Sequence, residues 1–168
     1  RKVLDFSGKE IISLKEEVTF LRQYLDIEKS RMDGKLDYEI SGNALEMADV
    51  ISIPSLLTQP FVENAIRHGL MHREDKRKLR IAFKLTEDCL HITIDDNGIG
   101  RQASAEFNKA RKKDHSSFAL EAYQKRIALL NNMRKKKITL EIKDKFAESG
   151  LAAGTTVYID IPLDEHSL

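Results

Sequence analysis

Tryptophan is absent from the 168 residues, cysteine occurs once (Cys89), proline three times and glycine eight times. A lone cysteine closes no disulfide within the chain, which excludes a disulfide-stapled secreted scaffold and fits a reducing compartment. No apolar run reaches the roughly 18 residues of a membrane span, so the segment itself reads as soluble. Charge of one sign is also missing. Lys plus Arg number 28 against 27 Asp plus Glu, a net charge of +1, and so there is no general pull toward nucleic acid. The basic runs Arg111 to Lys113 and Arg134 to Lys137 are local. Arg1 stands where an initiator Met or signal peptide would, so the sequence reads as a piece of something longer. Internal repeats and low-complexity stretches are absent. What is present is 41% hydrophobic residues in a length that buries about 70% of its unfolded surface, enough for one domain with a core.

Periodicity divides the chain. Leu14, Val18, Leu21, Leu25 and Met32 recur at four-three spacing within Lys9 to Met32, an amphipathic helix for which Ser13 and Glu16 form a capping box; Ile11 and Ile12 then fall outside it. The stripe needs a partner, either the domain's own sheet or a dimerising helix. Leu36 to Ile40 and Ile51 to Ile53 read as short strands, and Pro54 suits the start of a helix running to about Met71, with Ser55 as an alternative cap. Alternation in Leu79/Ile81/Phe83/Leu85 and Leu90/Ile92/Ile94 predicts an antiparallel hairpin. Arg101 to Ser117 is polar and reads as a mobile segment with at most a weak helix. Leu120, Tyr123, Ile127 and Leu130 mark a second clear helix. Ile138/Leu140/Ile142 and Val157/Ile159/Ile161 form a closing hairpin joined by a Gly- and Ala-rich loop. The sum is an α+β, two-layer sandwich with five or six mostly antiparallel strands covered on one face by helices.

Several residues do not fit a core. The 55–71 helix puts Asn64 and His68 on the stripe of Leu57 and Phe61. Taken alone, the bland reading is an amide bonded to a loop and a satisfied core histidine. Asp96 shares the parity of Leu90, Ile92 and Ile94, so it points to the covered face, where a carboxylate requires a donor. Asn97-Gly98-Ile99-Gly100 follows, a turn by itself or a place where a ligand approaches backbone. Gly98, Gly100 and Ala103 also satisfy G-x-G-x-x-A, but Asp95 and Asp96 would face a pyrophosphate and the strand belongs to a hairpin, which argues against a dinucleotide site. No G-x-x-x-x-G-K-[ST] occurs, so a P-loop is excluded.

Gln59-Pro60-Phe61-Val62-Glu63-Asn64-Ala65-Ile66-Arg67-His68-Gly69 resembles the N box of the GHKL nucleotide-binding superfamily, in the form used by LytS-type sensor histidine kinases. Asp96-Asn97-Gly98-Ile99-Gly100 resembles its D-x-G-x-G box. Gly154-Thr155-Thr156-Val157 with the last strand resembles the closing glycine box, and Tyr24 to Glu28 with Arg31 resembles the linker helix. These boxes span nearly the whole chain in the family's order.

The resemblance implies a Bergerat-type catalytic domain at 35–168, preceded by a linker helix at 1–34 and carrying an ATP lid at about 101–117. It makes Asn64 the ligand of Mg²⁺ on the ATP phosphates, Arg67 a phosphate neutraliser, His68 a lining residue and Asp96 the acceptor for the adenine amino group. Gly98, Ile99 and Gly100 would admit base and sugar, and Thr155 would support the pocket. Lys109, Arg111, Lys112 and Lys113 could reach phosphate from the lid, or form a solvated loop. Glu63 is a candidate for polarising the attacking histidine or a metal water. The nucleotide site would include Ser117-Phe118-Ala119-Leu120, which replaces the usual G-x-G-L, and Ala122 stands where Asn is common, while Arg126 is retained. Pro60 occupies the position of the hydrolytic Glu of GHKL ATPases, which favours phosphoryl transfer over hydrolysis. None of His68, His72, His91, His115 and His166 has the phosphoacceptor setting, so the acceptor histidine would lie upstream. The full protein would be a membrane-anchored, homodimeric bacterial sensor with this domain in the cytoplasm, phosphorylating its own histidine and then a response regulator that binds DNA. A degenerate domain serving only signalling or dimerisation is the alternative, and a serine kinase of the anti-sigma type is a third.

Overall fold

A computed structural model describes residues 11–110, 116–132 and 134–163, with the side chains of 107–110 and 116–120 outside that description. The order of elements is β1 (Ile11–Ser13), α1 (Leu14–Arg31), β2 (Leu36–Ser41), β3 (Ser52–Pro54), α2 (Gln59–Asn64), β4 (Arg77–Leu85), β5 (Cys89–Asp96), α3 (Gly100–Ala110), α4 (Ser116–Asn132), β6 (Thr139–Phe146) and β7 (Ala152–Pro162).

Five strands form one sheet in the order β2-β4-β5-β7-β6, parallel between β2 and β4 and antiparallel elsewhere. Strict alternation makes the two layers. Leu79, Ile81 and Phe83 on β4, Leu90, Ile92 and Ile94 on β5, and Val157, Ile159 and Ile161 on β7 are all buried with the helices. The sandwich read from the sequence is thus present. The sequence reading did not anticipate that β1 and β3 would form a separate two-stranded sheet, with Ile12 paired to Ile53.

The capping box expected at α1 is present. Ser13 Oγ accepts from the Glu16 N–H at 3.1 Å, while the Ser13 N–H donates to Glu16 Oε2 at 2.9 Å. Leu14, Val18, Leu21 and Leu25 belong to the domain's own core, so the stripe packs inward along this length. Among the described residues no helix is long and apolar enough to cross a membrane.

The segment 55–71 corrects the expected single helix. Pro54 ends β3 and starts no helix, and Thr58, not Ser55, stands at the N-cap of α2, which begins at Gln59 with Pro60 in its first turn, where the missing N–H costs no hydrogen bond. Leu56 at φ 56° turns the chain between them. After Asn64 the helix widens into a π turn over Ala65–Gly69 and tightens into a 3₁₀ turn over Leu70–His72. Such wide turns concentrate at functional positions.

The described residues of 101–117 are more helical than the expected mobile segment with at most a weak helix. Gly100–Ala110 is helical, and α4 already starts at Ser116, so Ser117 to Leu120 lie in its first turns. Short side chains explain why α3 reads as a weak helix at most: Ser104 and Ala105 line a cavity and carry no apolar stripe. Arg111, Lys112 and Lys113 fall outside the described residues, as does the side chain of Lys109. The expected Gly- and Ala-rich loop is shorter than read, because Ala152 to Gly154 already belong to β7.

Candidate functional site

A cavity of about 250 Å³ opens between α2 with its π turn, α3, and the ends of β5, β6 and β7. Phe61, Ala65, Ile94, Ile142 and Val157 make its walls apolar, and Asn64, His68, Arg101 and Thr155 add polar groups. It falls below the roughly 300–1,000 Å³ of pockets that enclose a whole ligand, so a flat heterocycle would fill it and attached groups would extend outside.

Asp96 is its deepest polar group, 3% exposed at the end of β5. One carboxylate oxygen accepts from the Gly98 N–H at 2.7 Å and the other from Thr155 Oγ1. Each oxygen retains a lone pair for a further donor. Burial pushes the Asp96 carboxyl above its ordinary range, with the hydrogen bonds from Thr155 and Gly98 opposing it. The adjacent Asp95 has the other parity. On the open face of the sheet it accepts from Lys145 Nζ at 2.7 Å and Thr156 Oγ1 at 2.6 Å.

Backbone contacts fix this corner. A Cβ on Gly98 would stand 2.5 Å from the Cα of Gly69, so the loop after β5 lies directly on the π turn, joined by the Ile99 N–H to the Gly69 carbonyl at 3.3 Å. Gly154, at φ +119°, lets β7 pass where a Cβ would meet the Asp96 carbonyl oxygen at 2.0 Å. Asn97 closes the turn laterally, accepting from Lys78 N–H at 2.7 Å and donating to the Lys76 carbonyl at 2.9 Å.

The expected site residues divide into two groups. Asn64, His68, Asp96, Gly100 and Thr155 line the cavity; Gly98 and Ile99 buttress it through backbone. Glu63 and Arg67 are not among the lining residues. Glu63 accepts from Gln59 Nε2 at 2.7 Å, and Arg67 is exposed on the side of Tyr24 of α1. The Tyr24 hydroxyl is pushed up to about 12 by burial and by Glu28 and Glu63. Ser117, Phe118, Ala119 and Leu120 have helical backbone, and their side chains lie outside the description. His68 is half-buried, and burial, followed by His72 and Arg67, pulls its imidazole below the ordinary value, which favours the neutral form.

Sequence reasoning missed Arg101 and Ser104. Arg101 binds Asp144 of β6 in a fork, Nε to Oδ1 at 2.7 Å and Nη2 to Oδ2 at 2.6 Å, which ties the start of α3 to the sheet. Their positions on α3 carried no periodic signal. Behind the cavity, Tyr123 of α4 donates to the Leu57 carbonyl and meets Phe61 edge-on with ring centroids 4.5 Å apart. Arg126 donates to the Ser55 carbonyl at 2.7 Å. The N-terminal approach to α2 is thereby held from α4.

Solved histidine kinase domains share this architecture. The chain matches the histidine kinase domain of the Erythrobacter litoralis EL346 blue-light activated histidine kinase with a TM-score of 0.57 at 17% identity, covering 95% of this chain and 65% of that one. It matches the mycobacterial sensor histidine kinase MprB with a TM-score of 0.56 at 14% identity, covering 91% of this chain and 96% of that one. The fold is therefore the one these histidine kinase domains share.

Sequence points the same way. Over 98 residues the chain is 37% identical to an uncharacterized sensor-like histidine kinase of Staphylococcus epidermidis, a match covering 58% of this chain and 18% of that protein. The chain thus spans about a fifth of the length of the curated relatives it matches. No family model matches it.

Proposed function

We propose that this domain binds Mg·ATP and, within the full-length sensor kinase, presents the γ-phosphate to a histidine that lies outside this chain. The observation that carries the reading is Asp96: a carboxylate fixed on both oxygens at the bottom of an apolar cavity suits a planar base with an amino donor. Thr155 and Gly98 orient the acceptor, and the walls from Phe61 to Val157 exclude water from the base. Asn64, half-buried on the same cavity, has the neutral oxygen that suits a hard cation retaining several waters. Bound there, Mg²⁺ would neutralise phosphate charge, and Asn64 would hold it. Catalysis would then consist mainly of positioning and charge neutralisation. Pro60 is no base, which disfavours independent hydrolysis.

Glu63 and Arg67 lie on the α1 side of α2, so their contribution to transfer requires the acceptor histidine to approach from that side. In the complete protein we assign the domain to the cytoplasmic part of a membrane-anchored LytS-type homodimer, with lid residues at 101–117 and phosphoryl relay to a response regulator. The linker at 1–34 connects it to the preceding segments.

Calorimetric titration with ATP and a non-hydrolysable analogue, with and without Mg²⁺, tests the reading. Binding in the micromolar to low-millimolar range is expected, and Asn64→Ala should remove its Mg²⁺ dependence while leaving metal-free binding in place. No binding at millimolar nucleotide would overturn it and favour a degenerate signalling module.

A further inference from the structure

Cys89, His91 and Asp160 have no part in the nucleotide reading, yet they bring sulfur, nitrogen and oxygen donors together. Leu90, Ile92, Ile94 and Asp96 face the helices, so alternation directs Cys89 and His91 to the opposite face of the sheet. The β5–β7 register pairs His91 with Asp160 and Cys89 with Pro162, which sets all three residues in one patch of two adjacent strands. One ligand atom from each lies within 4.8 Å of the others. His91 Nδ1 stands 2.7 Å from Asp160 Oδ1, and Asp160 Oδ2 accepts from Thr139 Oγ1 at 3.3 Å.

We propose that this triad binds a divalent cation of the zinc type, held by the Cys89 sulfur, one His91 ring nitrogen and the Asp160 carboxylate, with water in the fourth position. The donor set decides the class. Sulfur and imidazole suit zinc and its borderline neighbours and are poor ligands for Mg²⁺ or Ca²⁺, so the ion differs from the one assigned to Asn64. Bond lengths of about 2.0 Å to N and O and 2.3 Å to S place tetrahedral ligands roughly 3.3–3.6 Å apart. The His91–Asp160 pair must therefore open by about half an ångström, as the cation replaces the proton they share. Thr139 is already placed to orient the carboxylate from outside the coordination sphere. Burial and the neighbouring Asp160 and Asp88 hold the Cys89 thiol above its ordinary value, and a cation beside it reverses the effect of those carboxylates. The site lies on the opposite face from Asp96 and at the other end of β5, about 20 Å away along a strand of this length. An ion there clamps β5 to β7 without entering the cavity.

Titration of the chain with Co²⁺ in the absence of nucleotide tests this, because cobalt reports its own ligands. Expected are a sulfur-to-cobalt charge-transfer absorption with tetrahedral visible bands, displacement of both by Zn²⁺, and a rise in melting temperature with Zn²⁺. Cys89→Ser should abolish the charge-transfer absorption, and Asp160→Asn should weaken binding by at least about tenfold, the loss that even an outer ligand partner produces. Should Cys89→Ser fail to fold, protection of the wild-type thiol from alkylation by Zn²⁺ reads the same contact. Absence of the charge-transfer absorption at millimolar Co²⁺, or alkylation unchanged by Zn²⁺, would overturn the proposal. In excess Mg²⁺, ATP affinity is expected to be the same with and without one equivalent of Zn²⁺ on the chain, so this result and the nucleotide result stand apart.

Discussion

Two carboxylates are buried to the same degree and do opposite things. Glu17 on α1 is 2% exposed and Asp96 on β5 is 3% exposed, and burial raises the proton affinity of both. Glu17 is enclosed by its own chain. It accepts from the Thr58 N–H at 3.2 Å and from that of Gln59, at a helix start that no local side chain caps. Asp96 has donors on one side and a cavity on the other. Depth alone therefore says little about purpose; what separates a tether from a receptor is whether the remaining lone pairs face protein or empty space.

The largest effect should come from removing the receptor. Asp96→Asn keeps the shape and an acceptor but turns an amide N–H₂ toward the incoming amino group, so nucleotide affinity should fall by about a hundredfold, in line with the loss of a charged hydrogen bond. Calorimetry on the two proteins checks this, and equal affinities would erase the distinction drawn above. Glu17→Ala should act on stability instead, by about 2 kcal/mol, since two N–H groups at the start of α2 lose their partner. Urea unfolding measures that loss, with Glu17→Gln retaining most of the wild-type value. Nucleotide affinity falling in Glu17→Ala as far as in Asp96→Asn would show that the tether is also part of the receptor.

The smallest effect is the pH response. Both carboxyls bind a proton more tightly folded than unfolded, so the stability they contribute is full below the ordinary carboxylate range near pH 4 and is lost as pH rises through their raised values. Asp96→Asn removes one of these groups. Its melting temperature relative to wild type, without nucleotide, should therefore climb between about pH 4 and neutrality. A flat difference would mean that Thr155 and Gly98 fully offset the burial of Asp96.

Much of this was legible before the fold was known. Alternation placed Asp96 on the covered face because strand parity is strict, and Ser13 with Glu16 announced the start of α1 because a capping box is local. Pro54 misled because two prolines competed for the same role, and the choice fell to tertiary pairing, which set Ile11 opposite Pro54 and left Pro60 for α2. α3 read as a weak helix at most because a helix that lines a cavity needs small residues, not an apolar stripe. Glu17 was readable in hindsight: it sits three residues from Leu14 and four from Leu21, on the stripe's own face, where a charge requires a partner. The partner, 41 residues away in sequence, was not.

The two halves of the receptor are also far apart along the chain. Asp96 arrives with a hairpin whose strands adjoin in sequence, whereas Thr155, which holds its carboxylate, lies 59 residues further on. Contacts between distant segments form late, because the intervening chain must first be drawn in. In a refolding experiment, fluorescent-nucleotide binding should accordingly emerge with the slowest phase, after the β4–β5 hairpin has become protected from hydrogen exchange.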